Sequence, residues 1–155
     1  MKMVVPLEVG LCVSDLDRLL PFYTEVLGCR HVNTVEVPAE KAAPTGLSTG
    51  AYRVARLQTP YGERLKLLEP AEPPSVTPGR EQILSRRNNA YVTFIVEDLD
   101  GMIARLKETG VTFLSGEEKV EVRPGTFLAF IRDPEGNVLE FVSYDDIDAY
   151  RPDLA

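Results

Sequence analysis

The chain repeats its own plan, and that repetition limits what it can fold into more than any other feature. Residues 7–17, LEVGLCVSDLD, align with residues 90–100, AYVTFIVEDLD, each a β-rich run closing on Asp-Leu-Asp. A helical pattern follows each run and ends at a glycine: RLLPFYTEVLG up to Gly28, GMIARLKETG up to Gly110. Later in each copy a Pro-x-Gly turn feeds a strand, in TPYGERLKLL at 59–68 and DPEGNVLEFV at 133–142. The same elements in the same order point to a duplicated unit, so one packing problem is solved twice.

Within each copy the local signals agree. Leu16, Leu19, Leu20, Tyr23, Val26 and Leu27 recur at three- and four-residue spacing, as one face of a helix requires. Pro21 is tolerated if Asp17 is the N-cap, because the first turn has no intrahelical partners for its N–H groups. Gly28 then supplies the left-handed residue that ends the helix. Leu99, Ile103, Leu106 and Gly110 repeat the pattern. Thr59-Pro60-Tyr61-Gly62 and Asp133-Pro134-Glu135-Gly136 both suit a type I turn, with Pro second and Gly fourth. Two further strands are expected between helix and turn: about 29–37 and 50–58 in the first copy, about 111–115 and 126–132 in the second. Residues 70–89, with four prolines and little periodicity, read as the connection, with a short helical turn at 80–86.

The order is thus βαβββ–linker–βαβββ: module 1 about 5–69, linker about 70–89, module 2 about 90–144 and a C-terminal tail at 145–155, together one domain. A length of 155 residues suits that reading. The formal charge of −7 argues against a nucleic-acid partner, whose phosphates need a basic surface. No apolar run approaches the ~20 residues of a membrane span, and the first ten residues lack a secretory signal. Cys12 and Cys29 make no disulfide framework, which suits a cytoplasmic protein with reduced thiols.

The segments LEVGLCVSDLDRLLPFYTEVLG and AYVTFIVEDLDGMIARLKETGV, with DPEGNVLEF closing the second copy, resemble the vicinal-oxygen-chelate superfamily of glyoxalases, bleomycin-resistance proteins and dioxygenases, over roughly residues 5–143. The resemblance implies an α+β fold: two tandem βαβββ modules forming a curled, cup-shaped mixed sheet, with helices on its convex side and the site inside. It also implies a small-molecule ligand. A homodimer is expected, and the sequence leaves open whether the modules pair within one chain or exchange across the dimer.

Strand alternation sorts the faces without the family. Val5, Leu7, Val9, Leu11 and Val13 share one parity and are expected under the helices, leaving Glu8, Gly10 and Cys12 opposite. In the second copy Val92, Phe94 and Val96 pack, leaving Tyr91, Thr93 and Ile95; Leu65 and Leu67 pack, leaving Arg64, Lys66 and Leu68; Leu139 and Phe141 pack, leaving Val138, Glu140 and Val142. Glu8, Lys66, Tyr91 and Glu140 therefore fall at matching points of first and last strands, where the resemblance puts metal ligands. Metal-dependent relatives commonly carry His, Glu or Gln there.

That departure shapes the functional reading. A charged lysine has three donors and no lone pair, and the chain has one histidine, His31, which reads as a surface strand residue. No cofactor is therefore expected; a divalent ion, if one bound, would rest on Glu8 and Glu140. A Glu–Lys–Glu arrangement with a tyrosine hydroxyl substitutes for the ion. If Lys66 sits in a buried network between Glu8 and Glu140, its truncation costs about 3–5 kcal/mol. Two functions from different classes follow. In one, an enzyme performs metal-independent lyase or isomerase chemistry on a small oxygen-bearing molecule, with Glu8, Lys66, Tyr91 and Glu140 catalytic and Cys12, Thr93 and Arg64 binding ligand. In the other, a non-catalytic protein sequesters a small molecule, as bleomycin-resistance proteins do. A metal-dependent glyoxalase or ring-cleaving dioxygenase is disfavoured, because two histidines are lacking. Arg86 and Arg87 could meet an anionic ligand at the rim or form a solvated loop, and the Asp145, Asp146, Asp148 run lacks the spacing of a calcium loop.

Overall fold

In the computed structural model, residues 1–75, 82–85, 87 and 89–154 are described. The chain divides into two compact units, Met1–Pro78 and Gly79–Ala155. The elements are α+β, in two mixed sheets of four and five strands.

The first unit runs β1 (Glu8–Cys12), α1 (Leu16–Pro21), β2 (Arg30–Val37), α2 (Ala39–Ala42), β3 (Tyr52–Gln58) and β4 (Arg64–Pro70). Its sheet has the order β1-β4-β3-β2, with β1 parallel to β4 and the other pairs antiparallel. Alternation along β3 and β4 buries Ala55, Leu57, Leu65 and Leu67 on one face. Leu16, Leu19, Phe22 and Tyr23 of the helical segment are buried as well, so one apolar layer lies between helix and sheet. Val9 and Leu11 are half-buried and Val13 fully buried, whereas Val5 and Leu7 are exposed. The expected packing parity fails at those two residues because the strand begins only at Glu8, and among the described residues no strand pairs the segment before it.

The N-cap of α1 is Asp15, not Asp17: its carboxylate accepts the Arg18 N–H at 3.0 Å. Pro21 is consequently beyond the first turn and cannot donate to the carbonyl four residues back. The backbone widens immediately after it, and Phe22–Val26 form a π-helical turn, with Leu27 N–H bonded to Phe22 O at 3.1 Å. The Thr24 hydroxyl takes up the Leu20 carbonyl at 3.0 Å. Gly28, at φ 72°, ends the segment as expected.

The second unit runs β5 (Tyr91–Ile95), α3 (Leu99–Glu108), β6 (Thr112–Phe113), β7 (Val120–Arg123), β8 (Thr126–Arg132), β9 (Val138–Tyr144) and α4 (Ile147–Tyr150). Its sheet has the order β5-β9-β8-β6, with β7 pairing β8 and β5 parallel to β9. Strand β7 was not expected. It hairpins onto β8 through Pro124-Gly125, which makes five strands rather than four. Asp98 caps α3 by accepting the Gly101 N–H at 2.8 Å, and Leu99, Ile103 and Leu106 are buried on its inner face. Phe94 and Phe141, partners in register, stack 5.3 Å apart. The expected tail is partly helical, since Asp146 caps α4 through the Ala149 N–H at 2.8 Å.

The two Pro-x-Gly turns close as expected: Gly62 N–H meets Thr59 O at 3.1 Å, and Gly136 N–H meets Asp133 O at 2.9 Å. In the connection, Ile83–Ser85 form a single 3₁₀ turn and Arg87 is exposed, while residues 80, 81 and Arg86 lie outside the described residues.

Candidate functional site

In the first unit, the register sets Glu8 of β1 opposite Arg64 of β4, with Lys66 one pleat further on. All three point away from the helix, because Leu65 and Leu67 between them are buried on the helix side. The Glu8 carboxylate lies 3.4 Å from Lys66 Nζ and 3.8 Å from Arg64 Nη1, so two cations share one anion. The side chains of Glu8 and Lys66 are 33% and 35% exposed, respectively. A Glu8–Lys66 pair wetted to this degree contributes about 0.2–1 kcal/mol. Cys12 is exposed on the same face of β1, two pleats from Glu8, and Cys29 is buried, its thiol pushed up to about 11 by desolvation.

The second unit repeats the arrangement with different chemistry. Thr93 of β5 is the register partner of Glu140 of β9, and its hydroxyl donates to the carboxylate at 2.6 Å. Tyr91, on the same face, makes an edge-to-face contact with Phe130 at 5.3 Å and remains 46% exposed. Val138 and Val142 flank Glu140 in β9 and are both buried. Beyond them, Tyr144 stacks on Tyr150 at 3.9 Å. Burial, then the hydrogen bond with Tyr150, pushes the Tyr144 phenol up to about 12. A shallow recess of about 340 Å³ beside this pair is lined by Arg123, Gly125, Thr126 and Asp145, among others, and by none of the expected site residues.

Two groups missed in the sequence complete the first unit. Glu69, at the end of β4, receives Arg53 Nε at 2.6 Å and the Leu16 N–H at 3.0 Å, tying the sheet to the start of α1. The Arg53 hydrogen bond is the main cause holding its carboxyl below the usual range. Arg56 and Arg30 occupy the same face as Lys66, donating to Asn33 Oδ1 at 3.2 Å and to Gln58 Oε1, respectively. Strand alternation in YRVARLQ, which puts Arg56 on the face opposite Ala55 and Leu57, would have found it.

The donors present do not fit a catalytic divalent ion. Lys66 offers no lone pair, Glu8 already faces two cations, and among the described residues no three His, Cys, Asp or Glu side chains converge.

Two units, each opening β–α and each with its first strand parallel to its last and ionisable residues on the face away from the helix, define a protein of the glyoxalase type. The Glyoxalase/Bleomycin resistance protein/Dioxygenase superfamily model matches residues 6–141, and the chain belongs to that superfamily. Among solved structures, a glyoxalase family protein from Bacillus cereus matches at TM-score 0.76 and 25% identity, over 93% of this chain and 96% of that one. A glyoxalase/bleomycin-resistance/dioxygenase domain from Frankia sp. EAN1pec gives 0.70 at 21%, over 94% and 95%. The trypanothione-dependent glyoxalase I of Leishmania major gives 0.65 at 24%, over 96% and 95%. No curated protein matches the chain. No described helix is long and apolar enough to cross a membrane.

Proposed function

We propose that the protein is a metal-independent lyase or isomerase acting on a small, oxygen-bearing organic molecule. The observation that carries this reading is the Glu8 carboxylate flanked by Lys66 at 3.4 Å and Arg64 at 3.8 Å on an accessible sheet face. In such chemistry, Glu8 accepts a proton from a carbon beside a carbonyl. The C–H electron pair moves onto the carbonyl oxygen, and Lys66 and Arg64, donors only, hold the resulting oxyanion. For an α-hydroxycarbonyl compound, transfer of the hydroxyl proton to the former carbonyl oxygen and return of the first proton to the former carbonyl carbon complete an isomerisation. Collapse of the oxyanion with expulsion of a leaving group from the carbon on the far side completes an elimination. The reading takes the protein as a cytoplasmic homodimer, in keeping with its two reduced cysteines; light scattering tests the dimer.

The test is deuterium uptake by α-hydroxyketones, α-hydroxyaldehydes and 2-hydroxy acids in D₂O, followed by loss of the α-proton NMR signal. Wild-type protein should speed exchange of at least one compound, and Glu8→Gln should slow it by about 10²-fold or more. Exchange at the wild-type rate in Glu8→Gln would refute the mechanism. A second reading, ligand sequestration without chemistry, is favoured by exposed Tyr91, set edge-on to half-buried Phe130, and exposed Ile95, an aromatic and apolar surface suited to an organic ligand. Ligand binding without any exchange would select it.

A further inference from the structure

The helix-free face of the first sheet carries more positive charge than proton transfer requires. Residues in register on neighbouring strands share a face. One row across the sheet is therefore Glu8, Arg64, Gln58 and Arg30, and the next is Gly10, Lys66, Arg56 and Asn33. Those two rows hold four cations against one carboxylate, a net charge of +3 (four minus one), in a chain whose formal charge is −7. Arg64 and Lys66 share Glu8. Arg56 and Arg30 bond only to neutral amide oxygens, of Asn33 and Gln58, and among the described residues neither meets a carboxylate. Both guanidinium charges are thus oriented but not neutralised.

The spacing fits a small ligand. Adjacent strands lie about 4.8 Å apart and alternate residues about 7 Å apart along a strand, so Lys66, Arg56 and Arg64 surround a patch the size of one phosphate or carboxylate group, with Arg30 one strand beyond. Oriented guanidinium forks favour planar, bidentate contact with such oxyanions. We infer that this face binds a small organic polyoxyanion, bearing phosphate or carboxylate groups with a total charge near the face's own excess. Where the acid–base reading holds, its substrate carries that group, and this second clause rests on that reading.

Calorimetric titration of the whole chain with pyrophosphate and with citrate, at low and high NaCl, tests the inference and tells phosphate from carboxylate. At least one probe should bind at submillimolar concentration and weaken with salt. Arg56→Gln and Arg30→Gln should each reduce affinity about tenfold, as loss of one charge-assisted contact implies. Glu8→Gln should preserve or tighten binding, since it removes the only opposing charge on the rows, while Lys41→Gln, on α2, should leave it unchanged. Circular dichroism confirms folding of each variant. Absence of binding by both probes, or equal weakening in Arg56→Gln and Lys41→Gln, would overturn the inference. So would a dimer that Arg56→Gln dissociates, which would assign the face to a second copy. Polyanion binding without deuterium exchange sinks the acid–base reading alone; exchange without polyanion binding sinks this inference alone.

Discussion

Asp133 offers the sharpest test of how the second unit is held together. It opens the turn that launches β9, and although it is a carboxylate it is only 4% exposed. Its Oδ1 accepts the N–H groups of Glu135 and Asn137, both at 2.9 Å, and its Oδ2 accepts Asn137 Nδ2 at 2.8 Å. Asp133→Ala removes three acceptor contacts and leaves two backbone donors to find water. At about 1 kcal/mol net for each bond, the loss is about 3 kcal/mol. For a chain of this length, each kcal/mol lowers Tm by about 2–4 °C, so melting should fall by about 6–12 °C. Asp133→Asn keeps the Oδ1 contacts, and rotation of the Asn137 amide can restore the third; its cost should be under about 1 kcal/mol. Thermal and urea denaturation of the three proteins measure both effects. A Tm for Asp133→Ala within about 3 °C of wild type would refute the reasoning, because it would mean that the turn's backbone bonds suffice without the side chain.

Three further outcomes are expected. Glu69→Gln should destabilise the protein at neutral pH and lose its effect in acid. A carboxyl held low by Arg53 contributes stability above its unfolded value near 4.3, lost as pH falls through the folded value; a pH-independent difference in melting would contradict this. Lys66→Met should cost no more than about 1 kcal/mol, given the exposure of its pair with Glu8, and a loss of about 3 kcal/mol or more in urea titration would contradict this and support a buried network. Elemental analysis after dialysis should find far less than one equivalent of Fe, Mn, Ni or Zn; a full equivalent lost on mutating Glu8 or Glu140 would reverse the reading of the donor set.

What was legible in the sequence was what a period of two or of 3.6 can write. Leu65 and Leu67 under the helix, Leu99, Ile103 and Leu106 on α3, and the glycines after both helices follow from spacing alone. The misplaced cap at Asp17 shows where local rules compete. Keeping Pro21 in the first turn favoured Asp17, whereas alignment of the two copies sets Asp15 opposite Asp98, and both of those residues are the caps. The chain tolerates Pro21 deeper in the helix by opening a π turn, an adjustment no propensity argument supplies. Strand β7 escaped because VEVR is short and follows a charged, glycine-bounded stretch, and among the described residues it pairs with β8 alone. Glu69 and the Arg56–Asn33 pair required knowing which strands are neighbours, since their partners lie 53 and 23 residues away.

The strand order β1-β4-β3-β2 has a consequence for how the protein comes off the ribosome. Among the described residues, the first strand of this sheet is hydrogen-bonded only to the last, and β4 inserts between β1 and β3. From Cys12 to Arg64, 52 positions must be synthesised before β1 gains its partner, about 3–10 s at 5–20 residues per second. During that interval β3 can already pair with β2, a local hairpin, while β1 and α1 wait. The Glu69 bond to Leu16 N–H then secures the junction from the last strand back to the first helix. The second unit sets the same schedule with β5 and β9. Each half therefore finishes folding in a single late, non-local step, which is the slow kind, and the first half can complete it before the second has been translated.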